Sequence, residues 1–99
     1  MEFTLDYLLK KCNNKEYIEL LEFLGSECKN IETSMLKSND KVYKEELKSY
    51  LNYVKGFLFF LNTGGVPYSI EKSDFALFKP IILHLVELGN LKPTVLESF

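Results

Sequence analysis

The chain has 99 residues, 46% hydrophobic and 26% charged, with a net charge of −2. Such a chain is long and apolar enough to build one core without metal or disulfide staples, which argues against intrinsic disorder. Every basic residue is lysine. Without the bidentate fork of arginine, and with net negative charge, nucleic-acid recognition is disfavoured.

The opening MEFTLDYLLKK lacks a basic segment followed by a long apolar run, so it does not read as a secretory signal. No stretch approaches the roughly 18 apolar residues that a membrane span needs. Cys12 and Cys28 are too few for a disulfide scaffold. The expectation is a single cytoplasmic domain over residues 1–99 with no membrane partner.

The first helix is expected from Thr4, as N-cap, to Cys12, with Phe3, Leu5, Leu8 and Leu9 as its apolar contacts. Asn13-Asn14 breaks it, and Asn14 is placed to cap the next helix. That second helix is expected over about 15–38. Tyr17, Leu20, Leu21, Leu24, Cys28, Ile31 and Met35 fall within an arc of roughly 100°, with Glu16, Glu19 and Glu22 outside it. Gly25 weakens its middle and suggests a kink or a close helix approach. Ser38-Asn39-Asp40 then supplies a stop and a new N-cap, joining two antiparallel helices in a hairpin.

The third helix is expected over about 41–62. Its stripe is Tyr43, Leu47, Tyr50, Leu51, Val54, Phe57, Leu58 and Leu61, widened by Val42, Tyr53 and Phe60, with Lys44, Lys48 and Lys55 outside. Gly64-Gly65 and then Val66-Pro67 stop it. Ser73 is the expected N-cap of the next helix, and Pro80 either kinks that helix or opens another. Phe75, Leu77, Phe78, Ile81, Ile82, Leu85, Val86 and Leu88 cover about half its circumference. A terminal turn over 93–99 should fold back through Val95, Leu96 and Phe99. No segment alternates as a strand does. The fold class is an all-α bundle of four main helices plus a short terminal turn, built on the hairpin at about 15–62.

Candidate chemistry is sparse. His84, the single histidine, sits beside an apolar arc and reads as an edge-of-core residue, not a general base. Cys28 is centred on the second stripe and reads as a buried, inert thiol, whereas Cys12, near a helix end, is expected to be more exposed. One histidine and two distant cysteines make no zinc pattern. Asn62-Thr63-Gly64-Gly65 follows a helix, the reverse of a phosphate loop, and reads as a cap. No enzymatic activity, metal or cofactor is expected. Lys41, Lys44, Lys48 and Lys55 make the only strip on which a nucleic-acid reading can rest.

Surface shape remains. In the run Phe57-Leu58-Phe59-Phe60-Leu61, consecutive residues point around the whole helix, since each advances about 100°. Four face the bundle, and Phe59 projects among Lys48, Asn52 and Lys55. The leading reading is a non-catalytic interaction module (a regulator, adaptor or inhibitor). It presents an apolar patch of Phe59, Tyr68 and Ile70 to a protein partner or to a second copy. The alternative is a small apolar-ligand carrier, with Tyr50, Tyr53, Phe57, Phe78 and Leu85 lining a pocket between the third and fourth helices.

Overall fold

A computed structural model describes residues 4–98, which form an all-α bundle. Helix α1 is Leu5–Cys12, α2 Tyr17–Lys37, α3 Lys41–Thr63, α4 Lys72–Phe75 and α5 Lys79–Glu87. Short 3-10 turns occupy Ala76–Phe78 and Pro93–Ser98. The contacts expected of Phe3 and Phe99 lie outside the described residues.

Local chemistry accounts for the boundaries. Thr4 Oγ1 accepts the amide of Tyr7 at 3.1 Å, while Asp6 and then Lys10 and Lys11 complement the helix dipole. Asn14 takes a left-handed φ of 68° and turns the chain instead of capping α2. Glu16 is the actual N-cap residue, without a side-chain bond. At the hairpin, Asp40 Oδ1 accepts the amides of Val42 at 3.0 Å and Tyr43 at 3.3 Å. Gly64, at φ 75°, donates its amide to Phe60 O at 2.7 Å and ends α3 as its sequence predicts.

The hairpin is antiparallel. The Tyr17 hydroxyl near the start of α2 donates to Leu61 O near the end of α3, and Tyr50 meets Glu27 midway. Gly25 admits no close neighbour: α2 continues through it and a Cβ there would meet nothing within 4 Å. Beyond α3 the chain takes the second of the two courses left open at Pro80, a short helix followed by a new one. Ser73 lies inside the one-turn α4 and does not cap it; Glu71 precedes that helix, again without a side-chain bond. Pro80 falls in the first turn of α5, so it opens a helix, where its missing amide proton costs nothing.

The core forms one cluster of buried side chains. Leu8 and Cys12 come from α1, Leu20, Leu24 and Ile31 from α2, and Leu47, Tyr50, Val54, Phe57, Phe60 and Leu61 from α3. Phe75, Phe78, Ile81, Ile82 and Leu85 close it from the C-terminal third. Val42, expected to widen the α3 stripe, is 70% exposed, and Leu77 and Leu88 also lie outside the core. The two cysteines exchange their expected environments. Cys12 is buried and Cys28 only half-buried, because the inward register of α2 is Leu20, Leu24, Glu27 and Ile31. A carboxylate therefore occupies the place in the stripe expected of a thiol.

Candidate interaction surface

Asn52, Gly56, Phe59 and Thr63 share one side of α3, within an arc of about 60°. The loop after α3 folds back over the first two. The Asn52 side-chain amide donates to Ser69 O at 3.1 Å. At Gly56 the fit is closer still: a Cβ would overlap Ile70 Cδ1 and sit 3.3 Å from Pro67 Cγ. Glycine is thus required for close approach of the loop, since its backbone is otherwise ordinary helix. Ile70 and Pro67 are buried as a consequence.

Phe59 lies beyond the end of this cover and stays 49% exposed. Its carbonyl oxygen accepts the Thr63 hydroxyl at 2.8 Å, and that hydroxyl in turn accepts the Gly65 amide at 3.2 Å. The chain's exit from α3 is therefore tied down beside the ring. On the loop itself, Tyr68 stands wholly in solvent while Val66 is half-buried and Pro67 buried. A shallow cleft runs along Val66, Pro67, Tyr68, Ile70 and Lys72.

The expected patch is therefore corrected in one member. Phe59 and Tyr68 are surface residues, but Ile70 is 6% exposed and acts as the pin that holds the loop on α3. Sequence reasoning missed Gly56, the counterpart of that pin. Its only signal was a glycine inside an otherwise strong helix, on the side away from the stripe.

The residues assigned to a ligand pocket are brought together, but as filled core. Phe57 and Phe78 stack with ring centroids 4.4 Å apart and planes at 12°, and Phe75 packs 5.3 Å from Phe78. Tyr50, Phe57, Phe78 and Leu85 are all buried. The rings thus occupy the space that a ligand would need. Tyr53 is apart from them, half-buried, with its hydroxyl 3.5 Å from Asp74 in a polar surface cleft. Partial burial, then the charge and hydrogen bond of Asp74, raise the Tyr53 pKa.

The lysine strip is partly engaged. Lys55 pairs with Glu32 at 3.3 Å, both exposed, and such a pair contributes little. His84 is half-buried in the last turn of α5, as an edge-of-core residue would be. Among the described residues no group of three or more His, Cys, Asp or Glu is placed to hold a metal ion, and no helix is long and apolar enough to cross a membrane. Compared with protein-family models, curated proteins and solved structures, the chain shows no significant match to any.

Proposed function

We propose that this chain is a non-catalytic interaction module, a regulator, adaptor or inhibitor. It engages a protein surface, a second copy of itself included, through Phe59 and Tyr68. The observation that supports this is the loop geometry. Ile70 anchors the segment against Gly56, the cover stops short of Phe59, and Tyr68 is held fully in water. Aromatic side chains of this kind supply large contact area at low conformational cost, which is why they dominate the centres of interfaces.

Self-association is the directly testable form. Light scattering from micromolar to near-millimolar concentration should show a rising mass for the wild type. The double substitution Phe59→Ser, Tyr68→Ser should abolish that rise while leaving the helical circular dichroism unchanged. A wild type that stays monomeric throughout, or a dimer indifferent to both changes, removes self-association through this patch.

A further inference from the structure

Helix α1 folds back on the hairpin through a short turn, residues 13–16. The Tyr7 ring lies 6.4 Å from that of Tyr50, whose hydroxyl meets Glu27 well inside α2. Helix α1 therefore runs back along α2 and does not extend it. In this seat Leu8 and Cys12 are wholly buried, and Leu9 lines a cleft with Leu77, Pro80 and Ile81.

The reversal depends on Asn14. Among the described residues it alone, glycines aside, has a positive φ, at 68°. Asparagine tolerates the left-handed region, but only glycine takes it freely. Residues 13–16 contain neither glycine nor proline, so nothing in the turn bars a helix. The start of α2 also lacks closure: Glu16 makes no side-chain bond to its first amides. With Asn14 right-handed, α1 and α2 join in one helix over residues 5–37. The amides of Tyr17, Ile18 and Glu19 then meet the carbonyls of Asn13, Asn14 and Lys15. That form carries α1 away from its own hairpin and opens the seat. The occupant of the seat is known, because the folded chain shows α1 in it.

We propose that two copies of this chain exchange α1 reciprocally through the hinge at Asn14. Each seats the other's Leu8 and Cys12 where its own lay, so every contact of α1 is kept and made between molecules. Release of the left-handed residue and the added helical hydrogen bonds favour the open hinge, and protein concentration drives the exchange. This route to self-association uses neither Phe59 nor Tyr68.

Refolding from denaturant at near-millimolar and at micromolar concentration, then light scattering after dilution, tests this. Refolding at high concentration should give a dimer that persists on dilution, since its release requires α1 to leave its seat. Asn14→Ala loses tolerance of the left-handed turn and gains helix propensity, about tenfold per hinge. With two hinges in a dimer, its association constant should rise about a hundredfold. Asn14→Gly eases the turn and weakens the continuous helix, so the constant should fall about tenfold. Cys12 should stay protected from a disulfide reagent in the dimer, because the seat is rebuilt. Phe59→Ser, Tyr68→Ser should dimerise as the wild type does, which separates exchange from association through the aromatic patch. A persistent dimer absent even from Asn14→Ala overturns the proposal. So does a dimer indifferent to both changes at Asn14, one whose Cys12 reacts freely, or one lost with Phe59 and Tyr68.

Discussion

Tyr50 on α3 donates its hydroxyl to Glu27 Oε2 on α2 at 3.0 Å, and both residues are buried, at 2% and 6% exposure. Glu27 occupies an inward position of α2, between Leu24 and Ile31, where the surrounding pattern calls for a hydrophobe. A carboxylate is retained there only with partners, because an unpaired buried charge is costly. Together with the Tyr17–Leu61 bond it ties α2 to α3 in one register. Burial first, then the charge and hydrogen bond of Glu27, raise the Tyr50 pKa, which keeps the hydroxyl protonated as the donor.

Tyr50→Phe should therefore destabilise the protein by about 1–3 kcal/mol, the range for stranding one partner of a buried hydrogen bond to a charged group. Replacing both groups, as Glu27→Leu, Tyr50→Phe, should cost less than Tyr50→Phe alone, or even stabilise, since no unpaired carboxylate remains. Urea denaturation followed by far-ultraviolet circular dichroism measures both. Equal losses from the single and double variants would show that the bond does not matter.

Gly56→Ala should reverse the usual preference for alanine within a helix. Alanine ordinarily gains about 1 kcal/mol over glycine there. Here its methyl group overlaps Ile70 and presses on Pro67, so a net loss of about 1–3 kcal/mol is expected from overpacking. Adding Ile70→Ala removes the obstruction. The double variant should then lose less than the sum of its single changes, a positive coupling that only contacting residues show. Strict additivity in the denaturation midpoints would mean that the loop does not pack on Gly56.

Much of this architecture was legible from spacing and caps. Thr4, Asp40 and Gly64 mark helix ends by side-chain or backbone chemistry that acts within three or four residues. The stripe of Leu47, Tyr50, Val54, Phe57 and Leu61 follows from the helical period. Failures cluster where a decision depends on another segment. Whether Cys28 or Glu27 faces inward is a rotation of one residue, set by the pairing of α2 with Tyr50. Whether Ile70 is surface or anchor depends on a glycine 14 positions earlier. Phe59 could be placed on the outer side from the wheel, yet its exposure was decided only by where the 66–70 loop stops. Val42, read as widening the α3 stripe, is exposed because it stands about 100° round from the buried side chains of that helix.

The two thiols should react very differently. Cys12 is buried, and burial, opposed by Lys15 and reinforced by Glu27, pushes its thiol up to about 12. Cys28 is half-buried and raised as well, chiefly by burial. Near neutral pH a disulfide reagent should modify Cys28 in the native protein and reach Cys12 only after unfolding. Because the folded pKa of Cys12 exceeds its ordinary 9.0, its contribution to stability is complete below that value and is lost as pH rises toward about 12. Titration with base should thus unfold the protein progressively over that window, and Cys12→Ala should soften the dependence. A native protein in which both thiols react at one rate contradicts the burial of Cys12.

The aromatic run at the end of α3 should divide sharply under substitution. Phe60 is fully buried and packs 5.3 Å from Phe75, so Phe60→Ala should cost about 3–5 kcal/mol, as large-to-small changes in a core do. A loss of that size is a large fraction of a small domain's total stability, and the variant should be partly unfolded at room temperature. Phe59→Ser, one residue earlier, removes a ring that is half in water and whose helical neighbours are polar. It should change stability by about 0.5 kcal/mol or less, the ordinary range for a surface position. Thermal melts of the two variants side by side make the comparison. If Phe59→Ser proves as damaging as Phe60→Ala, the ring is core and cannot serve as a contact surface. If it is neutral, any change it causes in self-association reports the interface and not the fold.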